Sequence, residues 1–78
     1  MKVYYLRMDD YHGVFSSKEK AVEWFNAFAE KHGYTNIKVS DGIDATLTVI
    51  DYNWTHSNNN IYSDYALITE FIVDDPDN

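Results

Sequence analysis

The residues with the widest chemical repertoire in this chain are its three histidines and thirteen carboxylates. His12 lies close behind Asp9 and Asp10, and a carboxylate–imidazole cluster of this kind can hold a metal ion or move a proton. A single loop supplies too few ligands for a complete site and no second cluster accompanies it, so a solvated loop histidine is the expected role. His56 has Asp51 in its neighbourhood, but the separation along a strand-like stretch is wrong for a pair. His32 falls at the end of a helical pattern, where a cation complements the helix dipole. Carboxylates this numerous produce chance pairs, so acid–base pairing carries almost no specificity by itself. Gly13, Gly33 and Gly42 are isolated and form no phosphate-cradling loop. Asp41-Gly42-Ile43-Asp44 is too short for a calcium loop of the EF-hand type. Asn53-Trp54-Thr55 matches a glycosylation sequon without a secretion signal to support it. With no cysteine, thiolate zinc sites, disulfides and thiol nucleophiles are excluded. A small domain also has little room for an enclosed pocket of a few hundred Å³. The expectation is a chain that is not an enzyme, with no catalytic residues, no metal and no cofactor.

Charge points elsewhere. The net charge is −7, which argues against direct contact with nucleic acid or an anionic membrane, because phosphate binding needs clustered lysine and arginine. Residues 1–38 hold all six basic side chains and five acids, a balance of +1, whereas residues 39–78 hold eight acids and no lysine or arginine. Acidity of this kind is read either as a device for solubility or as a face meant for a basic partner. On the second reading the acidic contacts are Asp41, Asp44, Asp51, Asp64, Glu70, Asp74 and Asp75. Met1 and Lys2 lead into a short apolar run broken at Arg7, which is not a signal peptide. No run approaches the ~18–20 apolar residues of a spanning helix. These features and the lack of cysteine predict a cytoplasmic protein.

The elements that would position these groups can be read from periodicity. The chain has 78 residues, 45% of them apolar and 17% aromatic, which rules out disorder and fits one small domain. Lys2 to Met8 reads as a strand, with Tyr4, Leu6 and Met8 on one face and Val3 and Tyr5 on the other. Residues 9–13 read as a turn, and Val14-Phe15 as a brief extension of the sheet. Ser16 as N-cap with Glu19 three residues on makes a capping box. The helix would run to about His32, with Ala21, Phe25, Phe28, Ala29 and His32 on one face and Gly33 at C′. Ile37 and Val39 suggest a short strand, and Ser40-Asp41-Gly42 a turn. Residues 45–54 and 61–73 read as a hairpin joined by the Asn-rich loop 57–60. Residues 74–78 read as a frayed acidic tail. The predicted fold is α+β over residues 1–73, one amphipathic helix on a mainly antiparallel sheet of three to five strands, in the order β(β)αβββ. One helix covers one sheet face, so large side chains on the other are exposed or covered by a second copy. Tyr52, Trp54, Tyr62 and Tyr65 are the expected aromatic anchors of a protein contact.

The stretch Val3-Tyr4-Tyr5 followed by Gly13-Val14-Phe15-Ser16-Ser17-Lys18-Glu19-Lys20-Ala21 resembles the opening of small uncharacterised α+β domains of bacteria and phages. There a strand leads through G-V-[FY]-S-S-x-E-x-A into the helix. The resemblance covers about the first third of the chain, implies the fold, and brings no activity. Size, acidity and aromatic richness are also similar, in style alone, to small phage-encoded anti-defence proteins, including anti-CRISPR proteins, several of which mimic the charge of DNA. The combined expectation is a protein-binding module, an inhibitor from a phage or mobile element. Its acidic half would occupy a basic, nucleic-acid-binding surface of a host protein in the host-cell cytoplasm. The alternative is a structural homodimer with no inhibitory role; a metal-binding protein or enzyme is the third class.

Overall fold

The computed structural model describes residues 1–9, 11–42, 44 and 46–73. The elements are β1 (Lys2–Arg7), β2 (His12–Phe15), α1 (Lys18–His32), β3 (Thr35–Asp41), β4 (Leu47–Thr55) and β5 (Ile61–Ile72). They form one helix on a five-stranded antiparallel sheet in the order β2-β1-β5-β4-β3. The fold is therefore α+β, at the upper end of the expected strand number. The predicted 74–78 tail lies outside the described residues.

The helix forms where its signals are, one residue late. Ser17, not Ser16, is the N-cap, and its side chain accepts from the Lys20 N–H. Both serines offer a cap oxygen. With Ser17 chosen, Glu19 falls in the first turn and complements the positive end of the dipole instead of closing a capping box. Gly33 ends the helix in the left-handed region at φ 71°, where a side chain would be strained. Carbonyls of Ala29 and Glu30 then accept from the Tyr34 and Gly33 N–H groups.

The chain enters through the β1–β2 hairpin at one side of the sheet. The helix carries it across to β3 at the opposite edge. A meander then returns to β5, which slots beside β1. First and last strands thus pair, Leu6 opposite Ile68, and the Val73 N–H closes on the Met1 carbonyl at 2.7 Å. The β4–β5 turn is the expected Asn-rich loop, with Asn59 at φ 68° and the His56 N–H bonded to the Asn60 carbonyl. β3 is longer than Ile37 and Val39 alone suggested. Asn36 at φ 53° sits where the β3–β4 register shifts, an irregularity that alternation does not encode. β2 likewise begins two residues early, because pairing with β1 holds His12 and Gly13 in extended form.

The core lies between helix and sheet. Ala21, Phe25 and Ala29 of α1 bury against Leu6, Ile50, Ala66 and Ile68. These sheet residues occupy one face by the period-2 rule, as the registers Leu6↔Ile68 and Ile50↔Ala66 require. No helix among the described residues is long and apolar enough to cross a membrane.

Candidate functional site

Two surfaces stand out from this frame: an uncovered sheet face and a cleft at the C-terminal end of the helix. The sheet face opposite α1 carries Val3, Tyr5, Leu47, Val49, Leu67 and Phe71. The pairs Val3↔Phe71, Val49↔Leu67 and Leu47↔Thr69 place them in adjacent rows. Val14 beside Tyr5 is 64% exposed, Phe71 49% and Tyr65 56%. The Tyr5 ring leans on His12 and Phe71, centroids 6.0 and 6.4 Å apart. Val3, Tyr5, Leu47, Val49 and Leu67 are half-buried by one another, and no helix among the described residues lies over this face. The few charges of this face sit to either side of β5. Arg7 on β1 is level with Leu67, and Asp51 on β4 is level with Tyr65 and beside Lys38 of β3.

The cleft has a volume of about 410 Å³. Five aromatic rings line it, those of Tyr11, Phe28, Tyr34, Tyr52 and Trp54, together with the carboxylates of Asp9 and Asp64. The rings hold one another in place. Tyr34 stacks on Tyr52 at 4.4 Å, Tyr11 on Trp24 at 4.1 Å and Trp54 on Tyr62 at 4.8 Å. The cleft is open on one side and is not the enclosed pocket that a domain this small has little room for. Where the helix stops and β4–β5 run on past it, bulky rings leave a cleft that helix and sheet do not close.

The expected acidic face is not assembled as one surface. Asp41, Asp64 and Glu70 project to the helix side of the sheet, opposite Thr48, Tyr52 and Tyr4 respectively. Asp41 lies 3.8 Å from the Lys18 ammonium, and Glu70 lies 3.2 Å from that of Lys2. Asp51 projects to the other face, and Asp44 sits in the turn before β4. Asp74 and Asp75 lie outside the described residues. Strand order and pleat scatter the set, because residues of opposite parity or on different strands do not converge.

Among the expected aromatic anchors, Tyr62 and Tyr65 are exposed and Trp54 is half-buried. Tyr52 is 4% exposed, packed against Phe25 and Tyr34, so it is a core residue and not a surface anchor. Its helix-side parity beneath Phe25 is the reason. Of the histidines, His12 is exposed on β2, and His56 bonds within its own loop, accepting from the Asn58 N–H at 3.3 Å. Among the described residues no three of His, Asp and Glu group to hold a metal. The Asn53 side chain of the sequon accepts from the Ser63 hydroxyl within the hairpin.

Tyr4 and Asp44 titrate away from their ordinary values. The Tyr4 phenol donates to Glu70 at 3.1 Å, and this bond, then burial, then the Glu70 charge raise it above its ordinary value. The fold favours the neutral phenol, so this contribution is complete below about pH 10 and lost as pH rises through the raised value. In a Tyr4→Phe variant this dependence is absent. The melting-temperature gap between the two proteins should therefore narrow between about pH 8 and about pH 11; a constant gap would refute the linkage. The Asp44 carboxyl is held below its ordinary value by the Thr46 hydroxyl and then by the Thr46 N–H. Its contribution is present above the unfolded value and fades as pH falls through the folded one.

Gly13 sits beneath Tyr11. A methyl group there would stand 2.8 Å from the Tyr11 oxygen and 3.2 Å from its ring edge. Gly13→Ala is expected to push Tyr11 off Trp24 at a cost of about 1 kcal/mol, seen as a shift in tryptophan emission and a lower melting temperature. An unchanged spectrum would contradict the packing.

Neither the family models nor the curated proteins nor the solved structures contain a match to this chain.

Proposed function

We propose that the chain is a small protein-binding module whose contact surface is the uncovered sheet face, and that the partner on that face is a second copy of the chain. The observation that carries this reading is the row of Tyr5, Val49, Leu67 and Phe71 on a sheet whose helix, α1, packs on the other side. Two sheets packed face to face bury such rows to form a second core, with their strand directions within about 30° of each other. The charges fit a self-complementary pairing. A twofold axis along β5 sets β1 of one copy over β4 of its partner. Arg7 then lies one same-face step from Asp51 of the partner subunit, in an isologous contact made twice. Sedimentation equilibrium tests the reading. A mass near twice 9.1 kDa is expected for the wild type. Phe71→Glu, at an exposed position, should return it to the monomer with unchanged circular dichroism. A wild-type monomer at high concentration would sink the proposal.

A second reading is the expected inhibitor, in which carboxylates occupy a basic nucleic-acid-binding surface of a host protein. The separation of charge from the apolar face favours it. Of Asp41, Asp51, Asp64 and Glu70, only Asp51 shares the uncovered face; Glu19, Glu23 and Glu30 lie on the helix. A dimer closed through the sheet would therefore present Asp41, Asp64 and Glu70 outward on both copies, beside a helix whose three glutamates are matched by Lys18, Lys20 and Lys31. Such a protein would displace DNA from a host binding protein captured from nuclease-treated lysate, and displacement would weaken as salt rises. The Asp41→Asn, Asp64→Asn, Glu70→Gln triple variant should displace about tenfold less well. Equal displacement by the variant would end this reading.

A further inference from the structure

The cleft at the end of α1 is not part of the sheet contact, and apart from His32 its charged lining residues are carboxylates. Tyr11, Phe28, Tyr34 and Trp54 offer π-systems whose faces are negative. Asp9 and Asp64 add two carboxylates. The last turn of α1 reaches the cleft through His32, bringing the negative end of the helix dipole with it. Neither lysine nor arginine is among the described lining residues.

We propose that this cleft binds an organic cation of the quaternary-ammonium type, either a free choline-like molecule or the trimethylated lysine side chain of a peptide. An anion would face two carboxylates. A neutral apolar guest would desolvate those carboxylates and bring them no opposite charge. A compact metal ion would have to exchange its water for aromatic rings, which are poor ligands for it. A trimethylammonium group spreads its charge over methyl groups and has no hydrogen to donate. Ring faces and a nearby carboxylate therefore satisfy it fully, and the attraction strengthens as water is excluded. A volume of about 410 Å³ accommodates the group with part of its stem.

The test is a titration of the ¹⁵N-labelled protein, following the indole N–H signals of Trp54 and Trp24. Trp54 lines the cleft, and Trp24 stacks on Tyr11, which also lines it. Choline is compared with 3,3-dimethyl-1-butanol, its neutral isostere, at constant ionic strength. Saturable shifts with choline, and binding of the isostere about tenfold weaker or less, are expected. Equal affinity for the two, or no shift with choline up to about 50 mM, would overturn the proposal. A peptide carrying trimethyllysine forms the second arm. Tighter binding than choline assigns the site to a side chain of a partner, and weaker binding assigns it to a free small cation. Asp64→Asn keeps the shape and the oxygen that accepts from the Tyr65 N–H. With Asp9→Asn, at an exposed position, it should weaken choline binding about tenfold while circular dichroism stays the same. Full affinity in this variant would contradict the role of the carboxylates.

Discussion

Phe25→Ala is expected to remove about 3–5 kcal/mol, a large share of the stability of a domain this small. Phe25 is fully buried and is the helix residue around which the core is built. Its ring lies 5.4 Å from that of Tyr52 and 6.4 Å from that of Tyr34. Truncating a buried phenylalanine costs about 3–5 kcal/mol, the lost transfer energy plus the cavity left behind. A chain of this size has roughly 4–12 kcal/mol of stability in all. Neighbouring rings cannot collapse into the gap, because Tyr34 and Tyr52 are already stacked on each other. Urea titration should show the midpoint of Phe25→Ala lowered by at least about 1 M, whereas Glu23→Ala, exposed on the same helix, should change stability by less than about 0.5 kcal/mol. Comparable midpoints for the two variants would mean that the helix does not pack as described.

The second large effect concerns the sheet contact and follows from its charges. Arg7→Glu alone would set a carboxylate near Asp51 of the partner subunit in both symmetry-related contacts. The dimer should weaken about tenfold. Asp51→Arg alone should weaken it similarly by opposing Arg7. Combined, the two substitutions restore opposite charges with the direction reversed, and the double variant should regain most of the affinity of the wild type. Both side chains project from the sheet face away from the core, so the fold should survive each change. Additive losses in the double variant would show that the two positions do not meet across the contact.

Much of this was legible in the sequence where local signals agree. The helix has two serines able to cap it, Phe25 and Ala29 at helical spacing, and Gly33 in the left-handed position that ends it. The β4–β5 hairpin follows from alternation on both sides of the Asn-rich loop. The parity of Tyr5, Leu67 and Phe71 already separated them from Leu6 and Ile68. What alternation does not carry is strand order. It fixes which face a residue takes, but not which strand lies beside which. Asp41 and Glu70 therefore gave no sign that each would meet a lysine from the N-terminal half, Lys18 and Lys2. Asp51 likewise gave no sign of falling on the face opposite Asp64. The burial of Tyr52 is not legible in the sequence, because a tyrosine in a strand suits a core and a surface equally, and the position of Phe25 above it decides. The cleft is not legible in the sequence, because Asp9, Phe28, Trp54 and Asp64 come from separate elements and converge only after folding. Their one visible trace was the density of aromatic residues.

The central claim is that a second copy covers the sheet face. Mixing ¹³C-labelled with unlabelled chains and recording isotope-filtered NOEs tests it most directly. Cross-peaks between methyl groups of Leu67 and Val49 on one copy and the Phe71 or Tyr5 rings of its partner are expected. A filtered spectrum without such peaks at millimolar concentration, or with peaks from the exposed side of the helix alone, would contradict the claim.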